Sequence, residues 1–137
     1  MKIFTDGGSR GNPGPAASAF VVYDDVDSVV YQEGIFLGQK TNNEAEYEAV
    51  LAACKWLLAN KKSDTSTPIF WLLDSMLVVE QLNKHWKIKD ARMQALASAI
   101  WQLLDELELK YSFKHIPREQ NSAADKIVNE TLDRQSK

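Results

Sequence analysis

A chain of 137 residues with 45% hydrophobic composition has apolar material for one compact domain with a real core, expected to span residues 1–137. A formal net charge of -3 argues against a strong nonspecific nucleic-acid binder but leaves room for a local basic surface. The single cysteine, Cys54, excludes an intrachain disulfide; with no secretory h-region, twin-arginine signal or bilayer-length apolar stretch, a cytoplasmic protein without a membrane role is expected.

Lys2–Asp6 reads as a strand, followed by a Gly/Pro loop from Gly7 to Pro15. Further strands are predicted near Ala17–Tyr23 and Ser28–Leu37, with Asp24 and Asp25 supplying turn chemistry between them. Thr41 followed by Glu44 is a capping-box pattern that opens a helix to about Asn60. Lys61 to Pro68 is a polar loop, and Pro68–Asp74 is a continuous apolar strand of the kind covered on both faces. Helices at Ser75–Asn83 and Ala91–Glu108, a strand at Tyr111–Ile116 and a helix from Asn121 complete the order. The expected fold is α/β, a mixed sheet with helices on both faces and no internal repeat. Cys54, Trp56, Trp71 and Trp101 fall in apolar patterns and read as core. The tail from Asp133 to Lys137 is polar and expected to fray.

Four acids stand where a structural protein rarely places a charge. Asp6 and Asp74 end apolar strands, while Glu46 and Asp125 share helical stripes with Ala49, Val50, Ala53 and Leu57, and with Val128 and Leu132. Each has a plainer reading. Glu46 could be a first-turn acid favoured by the helix dipole, although Glu44 already fills that role. Asp74 or Ser75 could cap the next helix, and Asn121 is a better cap than Asp125. Convergence of all four would be costly without cations, and oxygen-only ligands suit Mg²⁺. A pair of such ions is common apparatus for cutting a phosphodiester.

The segment Gly7-Gly8-Ser9-Arg10-Gly11-Asn12-Pro13-Gly14 lacks the Gly-Lys-Ser/Thr ending of a phosphate loop and is followed by no predicted helix. Gly7 and Gly8 offer backbone without side-chain bulk beside Asp6, where a polymer backbone could approach closely. A plain hairpin connection is the alternative.

Thr5-Asp6-Gly7-Gly8-Ser9-Arg10-Gly11-Asn12-Pro13-Gly14, Thr41-Asn42-Asn43-Glu44-Ala45-Glu46, Asp74-Ser75 and Asn121-Ser122-Ala123-Ala124-Asp125 resemble, in order, the four signature blocks of type I ribonuclease H. The first two blocks are specific; the last two carry weight only beside them. The resemblance implies a five-stranded sheet, three antiparallel strands then two parallel. It implies an endonuclease that cuts the RNA strand of an RNA–DNA hybrid and leaves 5′-phosphates. Asp6, Glu46, Asp74 and Asp125 would hold two Mg²⁺ ions, with Mn²⁺ a possible substitute. Asn12, Asn42 and Asn43 match positions that contact the RNA strand and its 2′-hydroxyls, and Thr41 matches one that grips a DNA-strand phosphate. Thr41 reads equally well as a cap. A monomer without an obligate protein partner is expected.

The chain also departs from many relatives. The loop Pro117-Arg118-Glu119-Gln120-Asn121 carries no histidine for proton transfer, and Arg118 could take part of that role, as in the compact branch this sequence resembles. His115, alternating with Tyr111 and Phe113, reads as structural. Met76 stands where relatives often place a substrate-touching glutamine. The large basic protrusion is missing; only Lys84-His85-Trp86-Lys87-Ile88-Lys89 remains. Trp86 and the lysines there either meet the DNA strand or form a solvated helix end with Trp86 in the core. Added cleavage of double-stranded RNA, or an inactive binding module of the same fold, are the competing readings. A pure binder, however, would gain nothing from four repelling acids.

Overall fold

Residues 1–60 and 67–135 are described by a computed structural model. The elements among them are β1 (Lys2–Ser9), β2 (Gly14–Tyr23), β3 (Val29–Lys40), α1 (Asn42–Ala59), β4 (Ile69–Leu73), α2 (Met76–Leu82), α3 (Ala91–Leu107), β5 (Tyr111–His115) and α4 (Ser122–Gln135), with a 3-10 turn at Arg118–Gln120. The strands form one mixed sheet in the order β3-β2-β1-β4-β5. The first three are antiparallel to one another, whereas β4 joins β1 and β5 joins β4 in parallel. That is the expected sheet.

Strand periodicity sorts its residues between two layers. Phe20 and Val22 of β2 turn into the larger core with Ile3, Trp71, Leu73 and the apolar faces of α1 and α3. Ala17 and Ala19 turn the other way and pack against Val128 and Leu132 of α4. Small residues on that face let α4 lie close to the sheet. Gly34 of β3 takes this furthest, since a Cβ there would lie 2.7 Å from Ile127 Cγ2. Cys54 and Trp71 are buried as read. Trp56 and Trp101 are only partly buried and pack on the edge of the core.

The capping box of α1 is complete. Thr41 Oγ1 accepts from Glu44 N at 3.2 Å, and Glu44 Oε1 accepts from Thr41 N at 3.1 Å. Several element ends differ from the sequence reading. β1 runs on through Ser9 and β2 begins at Gly14, so most of the supposed Gly/Pro loop is sheet. Glycine weakens strand propensity, but here the ladder Gly7↔Ser18, Gly8↔Ala17 and Ser9↔Ala16 offsets it. β3 likewise extends to Lys40, paired with Gly14. At the other end α4 continues to Gln135, and Asp133, expected to fray, pairs with Arg10 at 2.6 Å. Lys61–Ser66 of the predicted polar loop, and Ser136 and Lys137 of the tail, lie outside the described residues.

Candidate active site

Parallel pairing of β1 with β4 ends at Thr5 and Leu73, so Asp6, where β1 parts from β4, and Asp74, just past the carboxyl end of β4, sit side by side. Open α/β sheets place their sites at this edge. Ser75 caps α2, its Oγ accepting from Val78 N at 3.3 Å, which leaves the Asp74 carboxylate free of that duty. Glu46 arrives from the first turns of α1. Its approach depends on Gly7, where a Cβ would collide with the Ala45 carbonyl and sit 2.5 Å from Glu46 N. Ser18 Oγ, donating to the Ala45 carbonyl at 2.6 Å, pins the same turn to β2. The close backbone approach expected at Gly7 is therefore made by α1 itself.

Ligand oxygens of Asp6, Glu46 and Asp74 all lie within 4.8 Å of one another. Burial, reinforced by the Asp74 charge, pushes the Asp6 carboxyl up to about 7. Burial also raises Glu46 well above the usual carboxylate range, with Asp6 and Asp74 adding to it, and raises Asp74 to a lesser degree. Glu46 Oε2 is buried with no hydrogen-bond partner among the described residues. A buried orphan oxygen inside a ring of carboxylates fits a hard divalent cation, which would satisfy the oxygen and relieve the repulsion together.

The triad floors an open cleft of about 450 Å³, whose walls include Gly8, Arg10, Asn42, Arg118, Asp125 and Asn129. Asp125, half-buried on α4, is outside the tight triad but faces the same space. Arg118 is exposed and reaches to 3.9 Å from Asp125 Oδ1. Asn121 is not the helix cap that its position suggested. Its buried Nδ2 donates to the Thr5 carbonyl at 2.8 Å and to Asp74 Oδ2 at 3.3 Å, while its Oδ1 has no partner among the described residues. One amide thus ties β1, the Asp74 carboxylate and the start of α4 together. The Asn-x-x-x-Asp spacing marked this residue, but only the fold shows what its amide binds.

His115 also differs from the structural reading. Pairing of Leu73 with His115 carries the imidazole beside Asp74; it is exposed, and Nε2 lies 3.2 Å from the Asp74 carbonyl. Alternation on β5 sets it with Phe113, but of the two only Phe113 is buried. Arg10, which sequence reasoning did not single out, lines the cleft and is held by Asp133 and by the Asn129 carbonyl at 3.4 Å.

Around the cleft mouth, Asn42 Oδ1 accepts from Ser9 N at 2.8 Å and Asn12 Oδ1 accepts from Asn42 N at 3.0 Å. The two asparagines from distant sequence blocks thereby share one rim, with exposed Asn43 beside them. Thr41 is occupied by its capping box and does not line the cleft. Gly8 meets Val128 Cγ1 at an ordinary 3.6 Å from where its Cβ would be. Trp86 is 47% exposed, which removes the core-anchor reading. It lines a separate groove with Lys84, His85 and Lys87.

Fold and site together define an α/β domain with a cation-seeking acidic cleft at the carboxyl edge of its sheet. The family described as reverse transcriptase-like matches residues 4–131. A ribonuclease HI of Halobacterium salinarum is 36% identical over 133 residues, covering 97% of this chain and 64% of that protein. A bifunctional protein of Mycobacterium tuberculosis is 35% identical over 96% of this chain, which spans only 35% of that protein's length. The crystal structure of LC11-RNase H1 in complex with an RNA/DNA hybrid superposes with a TM-score of 0.95 at 34% identity, covering 99% of both chains. The chain belongs to the type I ribonuclease H family. No helix among the described residues is long and apolar enough to cross a membrane.

Proposed function

We propose that this chain is an endoribonuclease that hydrolyses the RNA strand of RNA–DNA hybrids and leaves 5′-phosphate ends. The observation that carries the proposal is the carboxylate triad with its buried Glu46 oxygen unpartnered among the described residues, at the floor of an open cleft of about 450 Å³. Asp6, Glu46, Asp74 and Asp125 would hold two Mg²⁺ ions, with Mn²⁺ as a substitute. When bound, such ions supply charge stabilisation at the scissile phosphate and a more acidic water.

The chain's own side chains do the rest. Asn121 holds the Asp74 carboxylate in one orientation from behind. Arg118, exposed on the cleft wall beside Asp125, offers its guanidinium to the scissile phosphate, a task its fork of donors suits better than a histidine ring. Asn12, Asn42 and Asn43, with the Gly7–Gly8 backbone, form the rim that meets the RNA 2′-hydroxyls, the group that distinguishes RNA from DNA. Thr41 meets a DNA-strand phosphate with what its cap leaves accessible, and Trp86 packs on a sugar of the same strand. The unit acts as a monomeric catalytic domain in the cytoplasm, without an obligate protein partner.

The test is cleavage of end-labelled RNA–DNA hybrid, RNA duplex, DNA duplex and single-stranded RNA with Mg²⁺, Mn²⁺ or chelator. Metal-dependent cutting of the hybrid's RNA strand is expected. Hybrid binding without cutting would move the chain to the class of inactive binding modules, and cutting of RNA duplex would widen its substrate range.

A further inference from the structure

Outside the cleft, a buried polar chain starts one residue after Glu46. Tyr47 is fully buried in α1, and its hydroxyl donates to Gln81 Oε1 of α2 at 2.5 Å. Gln81 is itself buried, and its Nε2 donates to the Lys87 carbonyl at 3.1 Å. A buried glutamine is expensive unless both ends of its amide are satisfied, and here both are. The phenol donor decides which end faces which way: with Oε1 held by Tyr47, Nε2 must point at the loop. That loop is the basic segment from Lys84 to Lys89. Its shape is irregular, with Lys84 at a φ of 65°, in the left-handed region that a lysine rarely enters. Two more side-chain donors act nearby: Trp101 Nε1 to the carbonyl of Leu82, the last residue of α2, at 3.1 Å, and Gln94 Nε2 to the Ile88 carbonyl within the loop at 2.5 Å. The Lys84 ammonium lies 4.8 Å from the centre of the Trp101 ring. Nothing in the cleft chemistry needs this arrangement, and the larger core already joins α1 to α2 without it.

We propose that Gln81, oriented by Tyr47, is a positioning residue that locks the basic loop into the conformation presenting Trp86 and Lys87 to the substrate's second strand. The lock is anchored on the same helix that carries Glu46. The inference rests on the proposed hybrid-cleaving function and adds to it a residue that touches neither substrate nor cation. Pre-ordering the loop removes part of the entropy cost of engaging a nucleic-acid backbone, so its loss weakens binding and leaves the chemical step alone.

Steady-state cleavage of hybrid is compared for the wild type, Gln81→Met, Tyr47→Phe and the double variant, from low to moderate salt. Gln81→Met alone leaves the Tyr47 hydroxyl buried without an acceptor and is expected to lower Tm. The double variant replaces both partners by apolar groups of similar shape and is expected to regain most of that Tm. With folding so controlled, the double variant is expected to raise KM about fivefold while kcat changes less than about twofold, and to lower the salt slope of KM by about one. A double variant with wild-type KM and salt slope overturns the inference, as does a fall in kcat at constant KM, which would place the effect at Glu46. If the wild type cuts no hybrid at any salt, the functional reading itself fails and this inference with it, an outcome distinct from the other two.

Discussion

The acidic cleft and the basic loop after α2 solve opposite problems with buried polar groups. In the cleft, three carboxylates are pressed together and the buried Glu46 Oε2 is left without a hydrogen-bond partner among the described residues. At the loop, the Lys87 and Ile88 carbonyls accept from Gln81 and Gln94, and the Leu82 carbonyl at the end of α2 accepts from Trp101. The first region stores electrostatic repulsion that a cation can discharge. The second is satisfied before any ligand arrives. A site that must bind metal benefits from being incomplete, whereas a surface that must match a polymer's shape benefits from being finished.

The sharpest way to break this contrast is to neutralise the cleft. Asp6→Asn or Asp74→Asn is expected to lower hybrid cleavage by about a thousandfold or more while raising Tm, because a repelling charge is removed from a folded protein that never needed it. Near-normal activity in either variant would end the two-ion account. Thermal melts and single-turnover cleavage on the same preparation read both effects.

The next largest effect is in pH. Asp6 titrates at about 7 when folded against 3.8 for an ordinary aspartate, so between those values the folded protein holds a proton that the unfolded chain has released. Stability from this group is therefore complete below about pH 4 and lost as pH rises through 7, by up to a few kcal/mol. Denaturant melts in chelator from pH 4 to 8 should show that decline, and millimolar Mg²⁺ should flatten it. A chelated protein as stable at pH 8 as at pH 5 would mean the repulsion is not there.

Asn121→Leu removes both the anchor to the Thr5 carbonyl and the donor to Asp74, at an expected cost of about 1–3 kcal/mol in stability with a fall in kcat. A variant with wild-type kcat would show that Asp74 needs no support from behind. Arg118→Ala is expected to be the mildest, lowering kcat about tenfold with no change in Tm, since the side chain is 83% exposed. A lowered Tm would instead mark Arg118 as structural.

The element order was legible because each signal was local. The capping box at Thr41 and Glu44 and the unbroken apolar run before Asp74 depend only on neighbouring residues. Glu46 and Asp125 stood out because an acid on an apolar stripe conflicts with its surroundings. Less legible were residues whose partners are distant in sequence. Gly7 leaves room beside Asp6, and Ala45 of α1 takes the side where its Cβ would lie while its other side lines the cleft. Asn121 was read as a cap, but its amide is used by Thr5 and Asp74. His115 alternates with Phe113 on β5, yet only Phe113 is buried.

The sequence by itself determined the order of strands and helices, the mixed sheet and the inventory of acids and asparagines, since periodicity, capping and composition act over a few residues. Only the tertiary structure decided which of these groups meet. Parallel pairing of β1 and β4 sets Asp6 beside Asp74, a missing Cβ admits Glu46, and a buried tyrosine orients the glutamine beneath the basic loop. Such contacts arise from register and close packing between distant segments, and no local pattern encodes them.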